Sequence, residues 1–391
     1  MDFKLLLLSL FLIFTQTCKA QDNPVITGAQ QTGKYLPLLK GKQVAVLANP
    51  SSLIGENHLV DSLLALNVDL IRIFSPEHGF RGNAGAGEHV SNFVDKKTGL
   101  PVVSLYGKHK KPLPEDLELV DIMLFDLQDV GARFYTYISS LHYLMEACAE
   151  NNIPLIVLDR PNPNGFYVDG PVLKNTYKSF VGMHPVPVVH GMTIGEYAKM
   201  INGEGWLNNN LKCNLTIIPC RNYNHNTLYE LPVRPSPNLP NMVSVYLYPS
   251  LCFFEGTIMS LGRGTSHPFQ CYGHPDFVLG SFVFTPRSIP GVANHPKHEN
   301  KKCYGANLSS AEELILSEKR INLSWLISTY EAMHEKEDFF IPFFEKLAGT
   351  ENLRKQIEAG KSENEIRKSW QADLSKFKQI RKKYLLYPDF E

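Results

Sequence analysis

The chain reads as an α/β protein built on a mostly parallel sheet covered on both faces, followed by a smaller mixed α/β region. Three observations predict this: five short apolar runs that do not alternate with polar residues, helix-period segments between them, and polar turn sequences at the ends of the runs. A strand buried on both faces has no solvent side, so its residues have no reason to alternate. Strands interleaved with helices are parallel, because each crossover returns the chain to the same end of the sheet.

The elements follow in order after a leader. Met1-Asp2-Phe3-Lys4, an apolar run from Leu5 to Phe14 and the exit Thr15-Gln16-Thr17-Cys18-Lys19-Ala20 form a signal peptide over residues 1–20, with cleavage after Ala20. Lipid attachment at Cys18 is the alternative, although Thr15-Gln16-Thr17 lacks the apolar and small side chains usual before a lipidated cysteine. The run is shorter than the roughly 20 residues a bilayer-spanning helix needs, and no later segment is longer. A periplasmic or secreted protein without a transmembrane segment is expected.

The first strand runs from Gln43 to Asn49 and ends in the cap sequence Asn49-Pro50-Ser51-Ser52, before a helix from His58 to Leu66. Strands follow at Leu70 to Phe74, Pro101 to Leu105, Ile122 to Asp126 and Ile153 to Asp159, with a helix from Thr136 to Asn151 between the last two. Prolines 171, 185 and 187 and several glycines interrupt the pattern between Gly170 and Gly195. A first domain is therefore expected over residues 21–190 and a second over 191–391. Thr193 begins a helix with Glu196 completing a capping box, Tyr246-Leu247-Tyr248 reads as strand-like, and the tail from Ser309 is helix-rich, clearest at Ala311 to Ser317 and Ser324 to His334.

Composition excludes several classes. Lys plus Arg and Asp plus Glu each number 39 in 391 residues, so the net charge is +0 and no basic field exists to hold nucleic acid or an anionic membrane. Six of the 7 cysteines lie beyond the leader, with no CxxC or metal spacing. An oxidising compartment permits disulfides, yet a chain this long can bury a large core without them, and buried free thiols are at least as consistent. No Gly-x-Gly-x-x-Gly opens a helix after the first strand, no P-loop occurs, and the glycine-rich Gly82 to Gly87 follows the second strand without phosphate-binding spacing. With no HExxH and no Gly-x-Ser-x-Gly either, no cofactor or metal is expected and a serine hydrolase lacks its motif. Oligomeric state is not legible.

In parallel sheets, ligands bind beyond the carboxyl ends of the strands. Those ends carry the candidates. Ser75-Pro76-Glu77-His78-Gly79-Phe80-Arg81 sets an acid, an imidazole and a guanidinium on a framed turn, suited to protonating a leaving oxygen or, blandly, to pairing among themselves. Asp126, Asp129, Arg133 and Tyr135 offer carboxylates, a cation and a ring to one crevice, the mixture sugars favour; an Asp129–Arg133 ion pair over a core tyrosine is the alternative. Arg160 and Asn162 lie on a proline-stiffened loop, as do Ser236 and Asn238 in Arg234-Pro235-Ser236-Pro237-Asn238-Leu239-Pro240. Glu255 and Arg263 stand on glycine-framed turns, where backbone can approach a ligand closely.

Taken together, Ser75-Pro76-Glu77-His78-Gly79, Phe125-Asp126-Leu127-Gln128-Asp129-Val130-Gly131-Ala132-Arg133-Phe134-Tyr135, Asp159-Arg160-Pro161-Asn162-Pro163, His190-Gly191-Met192-Thr193-Ile194-Gly195-Glu196, Pro235-Ser236-Pro237-Asn238-Leu239-Pro240 and Glu255-Gly256-Thr257 to Gly262-Arg263-Gly264-Thr265 resemble the NamZ-type exo-β-N-acetylmuramidase family across essentially the whole mature chain. The resemblance implies a secreted or periplasmic glycoside hydrolase with a Rossmann-like first domain, a smaller second domain and a cleft between them. It implies release of terminal N-acetylmuramic acid from the non-reducing end of peptidoglycan fragments. It also implies Glu77 as catalytic acid with His78 and Arg81 shaping the site, and Asp126, Asp129, Arg133, Tyr135, Arg160, Asn162, Ser236, Asn238, Glu255 and Arg263 as cleft candidates. The lactyl carboxylate of that sugar would suit an arginine such as Arg81, Arg133 or Arg263. A periplasmic protein that binds muropeptide sugars without cleaving them is the alternative from another class.

Overall fold

A computed structural model describes residues 23–82, 91–277, 279–335 and 338–391. The leader expected at residues 1–20 and nearly all of the Gly82 to Gly87 stretch fall outside them. Helix α1 (Thr32–Leu39) precedes the first strand, β1 (Val44–Ala48), and a small hairpin of β2 (Leu53–Ile54) and β3 (Asn57–His58) leads into α2 (Leu59–Ala65). Then come β4 (Leu70–Ser75), β5 (Phe93–Val94), β6 (Pro101–Ser104), β7 (Ile122–Asp126), α3 (Tyr137–Glu150), β8 (Leu155–Leu158), α4 (Ile194–Gly203) and β9 (Leu215–Ile218).

These strands form a seven-stranded sheet in the order β5-β6-β4-β1-β7-β8-β9, parallel throughout except for β5 at its edge. From β1 the chain works outward through β4 and β6, then crosses back to build β7, β8 and β9 on the other side. That reversal opens a crevice at the carboxyl ends of the strands.

The absence of alternation has its expected cause. Val44, Val46 and Ala48 pack on one face with Tyr35 and Leu39 of α1 and Leu59, Val60 and Leu63 of α2. Ala45 and Leu47 pack on the other with Leu141, Leu144 and Met145 of α3 and Tyr197 and Ala198 of α4. Burying each of the Val, Leu and Met side chains stabilises by about 1.5–3 kcal/mol, so both residue sets are apolar. Helix α4 starts as read: the Glu196 amide donates to Thr193 Oγ1 at 3.3 Å and the Thr193 amide to Glu196 Oε2 at 2.9 Å.

The parallel sheet includes β9, past residue 190. The proline- and glycine-broken stretch before it is packed against the sheet domain: Val186, Val188 and Val189 are fully buried, and Val189 bridges both Ala132 and Asp169. Tyr246-Leu247-Tyr248, read as strand-like, lies inside helix α5 (Met242–Leu251). Asn241 caps that helix through the Ser244 amide at 3.0 Å, and every residue from Ser244 to Leu251 is buried, so the segment shows no periodicity of either kind.

The remainder is a three-stranded antiparallel sheet of β10 (Cys271–His274), β11 (Phe282–Phe284) and β12 (Cys303–Asn307), with β12 in the middle. The expected helices appear as α6 (Glu312–Glu318) and α7 (Ser324–Met333), followed by α8 (Phe344–Ala348), α9 (Asn352–Glu358) and α10 (Glu363–Lys382). One core joins both parts, since Leu47, Leu141, Leu247, Leu326 and Trp370 belong to a single buried cluster. The six cysteines past the leader are all buried free thiols. Among the described residues, no helix is long and apolar enough to cross a membrane.

Candidate active site

The turn after β4 carries Glu77. Ser75 is buried at the strand end, the Gly79 amide closes the turn on the Pro76 carbonyl at 3.1 Å, and His78 and Gly79 both adopt left-handed backbone, with φ of 74° and 75°. Two successive left-handed residues swing the chain sharply, leaving the half-buried Glu77 side chain beyond the sheet edge. There Thr136 Oγ1 donates to Glu77 Oε2 at 3.0 Å. Thr136 is the N-cap residue of α3 yet makes no side-chain cap bond to its own helix, so its hydroxyl serves Glu77 instead. The Tyr106 hydroxyl, past β6, lies beside the same carboxylate, and burial together with that negative charge pushes its pKa well up.

Glu77, Tyr106 and Thr136 line a cleft of about 650 Å³ together with Glu255, Arg263 and the 292–296 loop. A recess of about 70 Å³ leads on from its floor, bounded by His78, Tyr135, Tyr137, Ser236 and Phe269. Tyr135 holds this end rigid by donating its hydroxyl to the Pro235 carbonyl at 2.6 Å, while Asn49 Nδ2 donates to the Tyr137 hydroxyl at 2.7 Å. Arg263 Nε donates to Glu255 Oε1 at 2.7 Å, and its guanidinium lies 4.8 Å over the Phe269 ring. Burial pushes the Glu255 carboxyl up, but Arg263 and then Lys297 more than offset it, leaving the group below the ordinary glutamate range.

A larger groove of about 800 Å³ lies elsewhere, between Tyr330, Phe340 and Arg354. None of the strand ends of the parallel sheet lines it, so the smaller cleft is the candidate site.

The structure thus brings Glu77, His78, Tyr135, Ser236, Glu255 and Arg263 to one cavity. Arg81 and Ser236 border an adjoining pocket of about 130 Å³. Arg81 is engaged there, gripping Asp95 through Nε and Nη2 at 2.9 Å each and Asp61 through Nη2 at 3.2 Å.

The other candidates serve the scaffold. Asp126 and Arg160 are buried and hold each other in a two-point pair at 2.6 and 2.8 Å. Arg133 does not pair with Asp129; it is buried and donates to the carbonyls of Pro171, Val186 and Leu347 at 2.7–2.8 Å. Asp129 accepts from the Gly131 amide at 2.7 Å, and burial pushes its carboxyl up to about 7. Asn162 Nδ2 donates to the Met192 carbonyl at 2.9 Å, and Asn238 Nδ2 to the Val292 carbonyl at 2.8 Å, which ties down the loop lining the cleft.

Thr136 and Tyr106 were not singled out in the sequence, nor were the cleft rings Phe134 and Tyr248. Phe134 stands inside a motif quoted above and Thr136 directly follows it, but only the fold shows that Thr136 reaches Glu77 and that Phe134, packed in the core, also borders the cleft.

Two family models match the chain, the N-terminal part of the exo-beta-N-acetylmuramidase NamZ over residues 44–243 and its C-terminal part over residues 246–387. The chain is 40% identical over 374 residues to the peptidoglycan beta-N-acetylmuramidase NamZ of Bacillus subtilis strain 168, spanning 90% of this chain and 89% of that protein. Among solved structures, a DUF1343 family protein of Bacteroides fragilis superposes with a TM-score of 0.88 at 52% identity, covering 94% of this chain and 100% of that one. A second DUF1343 family protein of the same organism gives 0.74 at 28% identity over 93% and 99% of the respective chains.

Proposed function

Because the chain belongs to the exo-β-N-acetylmuramidase NamZ family, we infer that it cleaves terminal N-acetylmuramic acid from peptidoglycan, and we propose Glu77 as the proton donor of that cleavage. It is a glycoside hydrolase of cell-wall turnover and recycling. The substrates proposed are peptidoglycan fragments that present this sugar at the non-reducing end.

The observation that carries the assignment of Glu77 is its position: a strand-end carboxyl, anchored by Thr136, lining a cleft that a second carboxylate, Glu255, also lines. Glycosidic cleavage needs one group to protonate the leaving oxygen and a negative charge to meet the oxocarbenium-like transition state. Glu77 supplies the first in this reading, and Glu255, kept ionised beside Arg263, supplies the second. The cleft of about 650 Å³ that Glu77 and Glu255 line is large enough for a terminal amino sugar.

The test is release of free sugar from a chromogenic N-acetylmuramic acid β-glycoside by the purified protein. Absence of release across a wide pH range would instead mark a protein that only binds such sugars. Following the anomeric form of the first product by NMR distinguishes retention from inversion in the same reaction.

Export is part of the proposal, because peptidoglycan lies outside the inner membrane. N-terminal sequencing of the mature protein should begin at Gln21; a chain beginning at a lipid-modified Cys18 would replace simple cleavage with anchoring.

A further inference from the structure

Three arginines were candidates for the lactyl carboxylate that distinguishes N-acetylmuramic acid from N-acetylglucosamine, and the structure separates them by what their nitrogens already do. Arg133 spends both terminal nitrogens on carbonyls deep in the core. Arg81 is committed to Asp95 and Asp61 outside the main cleft. Arg263 alone of the three lines the cleft with Glu77, and among the described residues its only hydrogen bond is from Nε to Glu255. The end-on fork of Nη1 and Nη2, which matches a carboxylate at two points, is unspent, and the side chain is 27% exposed.

The surroundings hold that fork in place. Glu255 fixes one edge of the guanidinium and the Phe269 ring lies beneath its plane, so little freedom remains to be lost on binding. Lys297 stands in an adjoining pocket of about 250 Å³ that also touches Glu255 and Arg263, with Nζ donating to the Thr257 carbonyl. Two cations therefore meet one carboxylate on this wall, leaving a positive charge for an anionic substituent.

We propose that the Nη1/Nη2 fork of Arg263 binds the lactyl carboxylate of the terminal sugar and selects N-acetylmuramic acid over N-acetylglucosamine, with Glu255 as its positioning residue. This rests on the muramidase reading above. Because Arg263 touches a substituent remote from the scissile bond, its contribution belongs to recognition before it belongs to chemistry.

The test begins with wild-type protein, so that no variant's folding enters. Calorimetric binding of free N-acetylmuramic acid is compared with that of its lactyl methyl ester and of N-acetylglucosamine. A charge-assisted two-point contact predicts at least about tenfold weaker binding for both uncharged sugars. Equal binding of acid and ester overturns the proposal.

Arg263→Met should then lower kcat/KM on the N-acetylmuramic acid glycoside by about tenfold or more beyond whatever loss it causes on the N-acetylglucosamine glycoside through Glu255, with the excess mainly in KM. An equal loss on both glycosides in a folded variant also overturns it. Discrimination between acid and ester by a wild-type protein that hydrolyses neither glycoside would sink the muramidase reading and leave the Arg263 assignment standing.

Discussion

Asp126 and Arg160 stand at strand ends and satisfy each other, whereas Glu77 stands at a strand end and faces a cavity. In the sequence the two cases carry the same signal, a polar side chain after an apolar run, because a buried ion pair and a ligand contact are built from the same residue types. That is why Glu77, Tyr135, Ser236, Glu255 and Arg263 were legible as cleft residues while Asp126, Arg133, Arg160 and Asn162 were read beside them and serve the scaffold. Tyr135 shows how the two roles meet, since its ring bounds the recess and its hydroxyl tethers the Pro235 loop. Tyr135→Phe is expected to cost about 1 kcal/mol of stability and to raise KM more than it lowers kcat, as thermal melts and steady-state kinetics would show. Asp129 offers a pH signature. Its folded pKa of about 7 lies above the unfolded value near 3.8, so the folded state holds a proton the unfolded chain has lost, and this group makes stability fall as pH rises from about 4 to 7. Asp129→Asn should flatten that part of the melting-temperature profile; an unchanged slope would contradict it.

Elements were most legible where apolar runs were long. The five strands read from the sequence coincide with β1, β4, β6, β7 and β8 because each is buried on both faces. Strand β9, Leu-Thr-Ile-Ile, is too short and too exposed at Thr216 to stand out, and β10, Cys-Tyr-Gly-His, has no alternation to read although all four residues are buried. The turn after β4 carries the proposed proton donor. Gly79→Ala places a side chain at φ 75° and should cost about 1–2 kcal/mol while displacing Glu77, so activity should fall further than the loss of folded protein accounts for. Circular dichroism beside turnover separates the two effects.

At the scale of the whole molecule, the cleft exists because two parts of the chain share one core. Arg133, on the sheet side, reaches the Leu347 carbonyl of α8, whose own residue lines the cleft wall. Arg133→Met would strand three buried carbonyls, each costing about 1 kcal/mol or more, so a loss of at least about 3 kcal/mol is expected. The shared core also predicts a single calorimetric unfolding transition; two separated transitions would show that the parts fold independently. Only a shared core holds a carboxyl from the sheet in one cleft with Glu255 and Arg263 from the second part, and the proposed chemistry depends on that meeting. Turnover of the chromogenic N-acetylmuramic acid glycoside by Glu77→Gln, with melting behaviour checked alongside, tests it most directly. The account predicts a folded protein slowed by at least about a hundredfold, the usual lower scale for losing a general acid. A folded Glu77→Gln variant turning over near the wild-type rate would contradict it.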